Sequence, residues 1–161
     1  MRARKEVPRL ETIENERYQK IEQLAYGPGL ILPHADTLDY LLDLGEGRLR
    51  EVYAIGIDMQ VLTLSNPSPE SFDTAESIPV SKKINDELFN AIKKYPDRFI
   101  GLTTLVPQDP DAAANELERA VKELNLMGAK INSHAKGEYL DDEKYWGIFA
   151  MAQKLGVSIY L

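Results

Sequence analysis

From Ile57 onward the chain alternates short apolar runs with amphipathic ones. The run IDMQVLTL (57–64) is apolar and β-branched, is entered from AIG, and leaves into the turn-rich SNPSP; it predicts a buried strand with a loop at its C-terminal end. SKKINDELFNAIKKY (81–95) sets Ile84, Leu88, Ala91 and Ile92 at helical spacing and stops at Pro96. RFIGLTTL (98–105) is the next apolar run. It leads into QDPDAAANELERAVKEL, where Asp109 fits an N-cap, Pro110 the first helical position, and Leu117, Ala120, Val121 and Leu124 one face. MGAKIN (127–132) predicts a further strand, SHAKGEYLDD a polar loop, and residues 143–155 a helix with Tyr145, Ile148, Phe149, Ala152 and Leu155 inward. VSIYL (157–161) is the last strand.

Strand and helix thus alternate, which predicts parallel strands joined by crossovers and an α/β fold. Periodicity leaves two architectures open, a doubly wound open sheet or part of a (β/α)8 barrel. Residues 1–56 are less regular: VPRLETI reads as a first strand, ERYQKIEQLAY as a helix, GPGLILPHADTLDYLLDLGEG as an insertion with short helical pieces, and RLREVYAIG as a helix closing on Gly56. The chain is therefore expected to form one domain, with a first strand and irregular helical insertion over 1–56 and regular β/α units over 57–161.

Composition narrows the chemistry. With 161 residues, 43% hydrophobic and 28% charged, the chain suits a folded globular domain. Its formal charge is −7 and only MRARK clusters basic residues, so no nucleic-acid partner is expected. No apolar run approaches the roughly 18 residues of a membrane span, and MRARKEVPRL lacks the apolar core of a secretory signal, so no membrane partner and a cytoplasmic location are expected. Cysteine is absent, which leaves His and carboxylates to hold any metal.

The strand ends read TLSNPSP, TLVPQDP and INSHAKG, and none is a Gly-rich phosphate loop. His34 and His134 lie far apart in sequence and in neither an HxH nor an HExxH arrangement. Asn132 and His134 directly follow a strand, where barrels and doubly wound sheets place their ligands; a turn-forming Asn and a solvated loop His are the plainer alternatives. Ser65 after VLTL has the same positional argument. Glu11 sits in an early apolar run, where a buried carboxylate needs a partner or a metal, although an exposed place beside a charged helix is the simpler reading. Tyr145 and Trp146 read as core aromatics of the last helix.

Taken in order, RLREVYAIGIDMQVLTLS, YPDRFIGL, PQDPDAA, ELERAVKEL and MGAKINSHAKGEYLDD resemble the amidohydrolase-related (amidohydrolase 2) family, in its aminocarboxymuconate-semialdehyde and dihydroxybenzoate (γ-resorcylate, salicylate) decarboxylase branch. The resemblance is dense from Arg48 to Leu161 and thin before it. It implies a TIM-like (β/α)8 barrel with a divalent metal (Zn, Mn or Mg) at the C-terminal strand ends, and a small carboxylic acid as substrate. Relatives carry a metal-binding acid in a first-strand LEEHF or LEEAF. LETIE places Glu11 on that acid and Ile13 where relatives have His or Ala, so Glu11 is the expected metal ligand and Ser65, Asn132, Ser133 and His134 the expected substrate-pocket wall.

In the family the fifth strand, as in VPFYLHP, runs into a His-Pro ligand pair, and the remaining ligands and the catalytic Asp come later. VSIYL matches only the strand, so the resemblance implies the N-terminal five β/α units of a barrel that needs roughly 250 residues. Such a portion is expected to be inactive by itself and to lack the proton donor. A non-oxidative decarboxylase is the implied parent activity. A hydrolase of the same family, a truncated non-catalytic paralogue acting through assembly, and a flavodoxin-like sheet complete at five strands are the alternatives. An incomplete barrel exposes an apolar edge, and a homo-oligomer is expected.

Overall fold

The computed structural model describes residues 9–15, 18–25, 37–65, 68–135 and 137–161. It divides into two compact units, Met1–Gly56 and Ile57–Leu161.

The first unit contains an antiparallel hairpin of strands β1 (Arg9–Asn15) and β2 (Tyr18–Ala25), then helices α1 (Thr37–Leu42) and α2 (Glu46–Ala54). The helix expected over ERYQKIEQLAY is instead β2. Tyr18, Ile21 and Leu24 mimic a helical spacing, but the backbone pairs in an antiparallel register that sets position 21 opposite 13 and 24 opposite 10, and this long-range pairing overrides local propensity. The expected first strand is present, yet it pairs antiparallel with its neighbour. At the start of α2 the Asp43 carboxylate accepts from the Gly45 and Arg48 amides, both at 2.8 Å, capping amides that no helical carbonyl reaches.

In the second unit, β3 (Gln60–Leu62), β4 (Phe99–Gly101), β5 (Thr103–Thr104), β6 (Gly128–Lys130) and β9 (Ser158–Tyr160) are all parallel. Only Leu102 separates β4 from β5, and its amide still donates to the Leu62 carbonyl at 3.0 Å, so the two behave as one interrupted strand. The lateral order is therefore β3, β4 with β5, β6, β9, each strand beside its sequence successor. A flavodoxin-like sheet needs a reversal in that order; a barrel wall does not.

Between the strands lie α3 (Thr74–Lys94), α4 (Pro110–Lys122) and α5 (Trp146–Leu155). Helix α3 begins seven residues before the expected Ser81 and carries Pro79 inside it. Its first turn is held by the buried Ser77 hydroxyl, 2.7 Å from the Pro69 carbonyl and 2.9 Å from that of Asp73. Helix α4 starts as its sequence indicates, with Asp109 accepting from the Ala112 amide at 3.0 Å and Pro110 at the first position. The core lies between α4, α5 and β6, built from Leu105, Ala113, Leu117, Ala129, Ile131, Tyr145, Ile148 and Ala152.

Two glycines set the geometry near β9. Gly156, at φ 68°, stops α5 in the left-handed conformation that side chains disfavour. Gly128 has φ 150°, and a Cβ there would stand 2.2 Å from the Ser158 carbonyl oxygen, so only glycine lets β6 and β9 approach this closely. Trp146 departs from the core reading: 57% of it is exposed, while Tyr145 beside it is buried. The loop over SHAKGEYLDD also folds further than expected, into a hairpin of β7 (His134–Ala135) and β8 (Glu138–Tyr139).

Candidate active site

The C-terminal ends of β3, β5 and β6 meet in a polar cluster. Beyond β3 the chain turns through Ser68, Pro69 and Glu70, and this turn lies against Asn132, which leaves β6 two residues after Lys130. The Asn132 carboxamide donates from Nδ2 to Glu70 Oε2 at 3.1 Å and to Ser68 Oγ at 3.3 Å. Its Oδ1 accepts from Lys130 Nζ. Beyond β5, Gln108 donates from Nε2 to the Glu70 carbonyl at 3.3 Å. Glu70 thus links three strand ends, its carboxylate reaching Asn132 beyond β6 and its main-chain carbonyl Gln108 beyond β5.

Burial pushes the Glu70 carboxyl above the usual carboxylate range, while its hydrogen bonds from Asn132 and the charges of Lys130 and His134 pull it back in part. Ser133 and His134 follow Asn132 and are exposed, with Ser133 Oγ 3.4 Å from His134 Nδ1 and the imidazole tilted against the Tyr139 ring at 6.3 Å between centroids. Ser133 also lines a depression of about 680 Å³ whose other walls are Tyr139, Leu140, Asp141, Trp146, Phe149 and Leu161. Its aromatic and aliphatic surfaces with a few polar groups suit a small planar ligand.

Of the residues singled out in the sequence, Asn132, Ser133 and His134 are brought together at the end of β6. Ser65 is exposed beyond β3 and makes none of these contacts. Glu11 lies on β1, opposite Gln23 in the hairpin register, and its side chain is outside the described residues, as is His34. Sequence reasoning missed Glu70, Lys130, Ser68 and Gln108. Ser68 and Gln108 stand within the strand-end segments TLSNPSP and TLVPQDP, where polar residues read as turn chemistry; Lys130 was read within the strand MGAKIN, and Glu70 lies one residue beyond TLSNPSP.

The family described as Amidohydrolase matches residues 35–161. The chain belongs to the amidohydrolase family. Among curated amidohydrolase relatives, the γ-resorcylate decarboxylase of Polaromonas sp. is 35% identical over 128 residues, 75% of this chain and 39% of the relative. A decarboxylase of Emericella nidulans is 37% identical over 129 residues, 76% of this chain and 36% of the relative. Among solved structures, the 5-carboxyvanillate decarboxylase of Novosphingobium aromaticivorans, complexed with manganese and 4-hydroxy-3-methoxy-5-nitrobenzoic acid, has a TM-score of 0.75 and 42% identity, over 77% of this chain and 36% of that one. The 2,6-dihydroxybenzoate decarboxylase from Rhizobium gives 0.73 and 34%, over 76% and 40%. The chain therefore spans about two fifths of the length of the amidohydrolases it matches. Among the described residues no helix is long and apolar enough to cross a membrane.

A divalent metal is implied by the manganese-bound neighbours. Among the described residues no group of three or more His, Asp or Glu side chains is placed to hold an ion, and the side chain of Glu11, the expected ligand, lies outside them.

Proposed function

We propose that these two units belong to a metal-dependent, non-oxidative decarboxylase acting on a small aromatic carboxylic acid. Four successive strand positions, β3, β4 with β5, β6 and β9, would then form one arc of a (β/α)8 barrel, with the remaining units supplying the rest of the wall. The observation that carries the reading is the polar cluster at the C-terminal ends of three neighbouring parallel strands, where barrel enzymes build their sites, in a chain about 35% identical to named decarboxylases.

In this reading Ser133 stands on the wall of the depression, the Tyr139, Trp146 and Phe149 rings bound the aromatic face of the substrate, and His134 and Ser65 complete the substrate pocket from the neighbouring strand ends. Asn132 fixes the floor of the pocket by joining the β3 and β6 ends. Glu11 is the proposed first-strand metal ligand, and the proton donor and other ligands come from parts of the barrel outside the described residues. Lys130 and the half-buried Glu70 set the local field beside an incoming carboxylate. Assembly into a homo-oligomer and a cytoplasmic setting complete the proposal.

The test is CO₂ release by the intact protein that carries these units, supplied with Mn²⁺ and offered 2,6-dihydroxybenzoate and 5-carboxyvanillate. Metal-dependent release from either acid, lost on chelation and reduced by Glu11→Gln, is the expected result. No release from any aromatic acid, with water added to an unsaturated acid instead, would favour a second reading as a hydratase. A hydratase of Sphingobium sp. that is 27% identical over 121 residues supports that alternative.

A further inference from the structure

The Asn132 carboxamide has neighbours that fix which end points where. Lys130 Nζ can only donate, so the atom facing it is Oδ1; an ionised Glu70 can only accept, so the atom facing it is Nδ2. Both Nδ2 hydrogens are then committed to the turn beyond β3, one to Glu70 Oε2 at 3.1 Å and one to Ser68 Oγ at 3.3 Å. Glu70 is itself anchored, since Gln108 from the β5 end holds its carbonyl at 3.3 Å. Asn132 is thereby committed to the protein, and the exposed Ser133 and His134 are the side chains the β6 end presents outward.

We propose that Glu70 is a positioning residue that sets the rotation of the Asn132 carboxamide and, through it, the placement of the Ser133–His134 segment. The chemistry is a one-proton device. An ionised Glu70 accepts from Nδ2; a protonated Glu70 carries a donor of its own, and the preference for Nδ2 over Oδ1 on that side weakens. Burial raises the carboxyl, so the proton is held to higher pH than on a solvated glutamate. The charged or titratable groups that act on Glu70 are Lys130 from β6 and His134 from β7. Only the relevance of this device to turnover rests on the decarboxylase reading; the coupling itself is a property of the fold.

The experiment follows the Asn132 side-chain ¹⁵N–¹H signals of the intact protein that carries these units across pH, assigned by their disappearance in Asn132→Asp. Both signals are expected to move along a single titration centred above the ordinary glutamate value, and Glu70→Gln is expected to abolish that titration while keeping two resolved signals. Signals indifferent to pH in the unsubstituted chain would overturn the proposal. So would a titration that survives Glu70→Gln, since it would belong to His134 or another group. Should Glu70→Gln fail to fold, Glu70→Asp serves: a smaller displacement is expected from the shortened reach, and an unchanged one contradicts the role. Because the readout needs no turnover, its failure leaves the decarboxylase reading untouched, and absence of CO₂ release leaves this result standing.

Discussion

Two asparagines, Asn85 on α3 and Asn132 beyond β6, each tie together segments far apart in sequence, and their surroundings separate them. Asn85 is fully buried. Its Oδ1 accepts from the Thr104 amide at 2.8 Å, and its Nδ2 donates to the Thr104 carbonyl at 3.0 Å and to Glu116 Oε1 at 2.8 Å. Ser81 adds a bond to the same carbonyl at 2.6 Å. The side chain thereby satisfies backbone groups of β5 and joins α3, α4 and the sheet. Asn132, by contrast, is half-buried, and its carboxamide bonds side chains at the strand ends, among them Lys130 and a carboxylate held above its usual range. A polar clamp on backbone in a sealed interior serves stability, because leaving its partners unpaired is costly. A clamp on titratable side chains at an open strand end can respond to pH and ligand.

The contrast can be broken from either side. Asn85→Ala leaves the Thr104 amide and carbonyl and the Glu116 carboxylate short of partners inside the core, and is expected to cost about 3 kcal/mol in urea unfolding. Asn132→Ala is expected to cost about 1 kcal/mol of stability, yet to lower kcat/KM of the intact enzyme roughly 10-fold, about 1.4 kcal/mol at the transition state. Ser81→Ala removes one bond of the sealed clamp while Asn85 remains, for about 1 kcal/mol. The smallest effect is in pH. A carboxyl raised by folding favours the folded state when protonated, so its contribution is complete below the unfolded value and lost as pH rises through the folded one. Acid titration of unfolding should therefore shift the balance between unsubstituted chain and Glu70→Gln toward the former as pH falls through that window.

Sequence pattern carried some of these features and hid others, for physical reasons. Helix α4 was legible because its cap and buried stripe are local: Asp109, Pro110, Leu117 and Ala120 fall where a helix of period 3.6 needs them. Strand β2 was not, since its apolar spacing reads locally as a helix and its strand pairing is with β1, several residues earlier in the chain. The first turns of α3 were hidden too, because Pro79 stands inside them and proline disfavours a helix interior. At the candidate site, the place of Asn132 and His134 directly after a strand was legible. Glu70 was not, because its meaning comes from a partner 62 residues away across the sheet. Trp146 misled because size suggests burial, whereas its indole donates to the Asp141 carbonyl at 3.2 Å from an exposed position.

The most direct test pairs Asn85→Ala and Asn132→Ala in the intact protein, with urea unfolding and Mn²⁺-supported CO₂ release read on the same preparations. The prediction is a crossed result: Asn85→Ala loses stability while the folded fraction turns over normally, and Asn132→Ala keeps most of its stability while turnover falls. If both variants lose stability and activity in proportion, the two clamps are one structural scaffold, and the assignment of the β3–β6 strand ends as the working site is wrong.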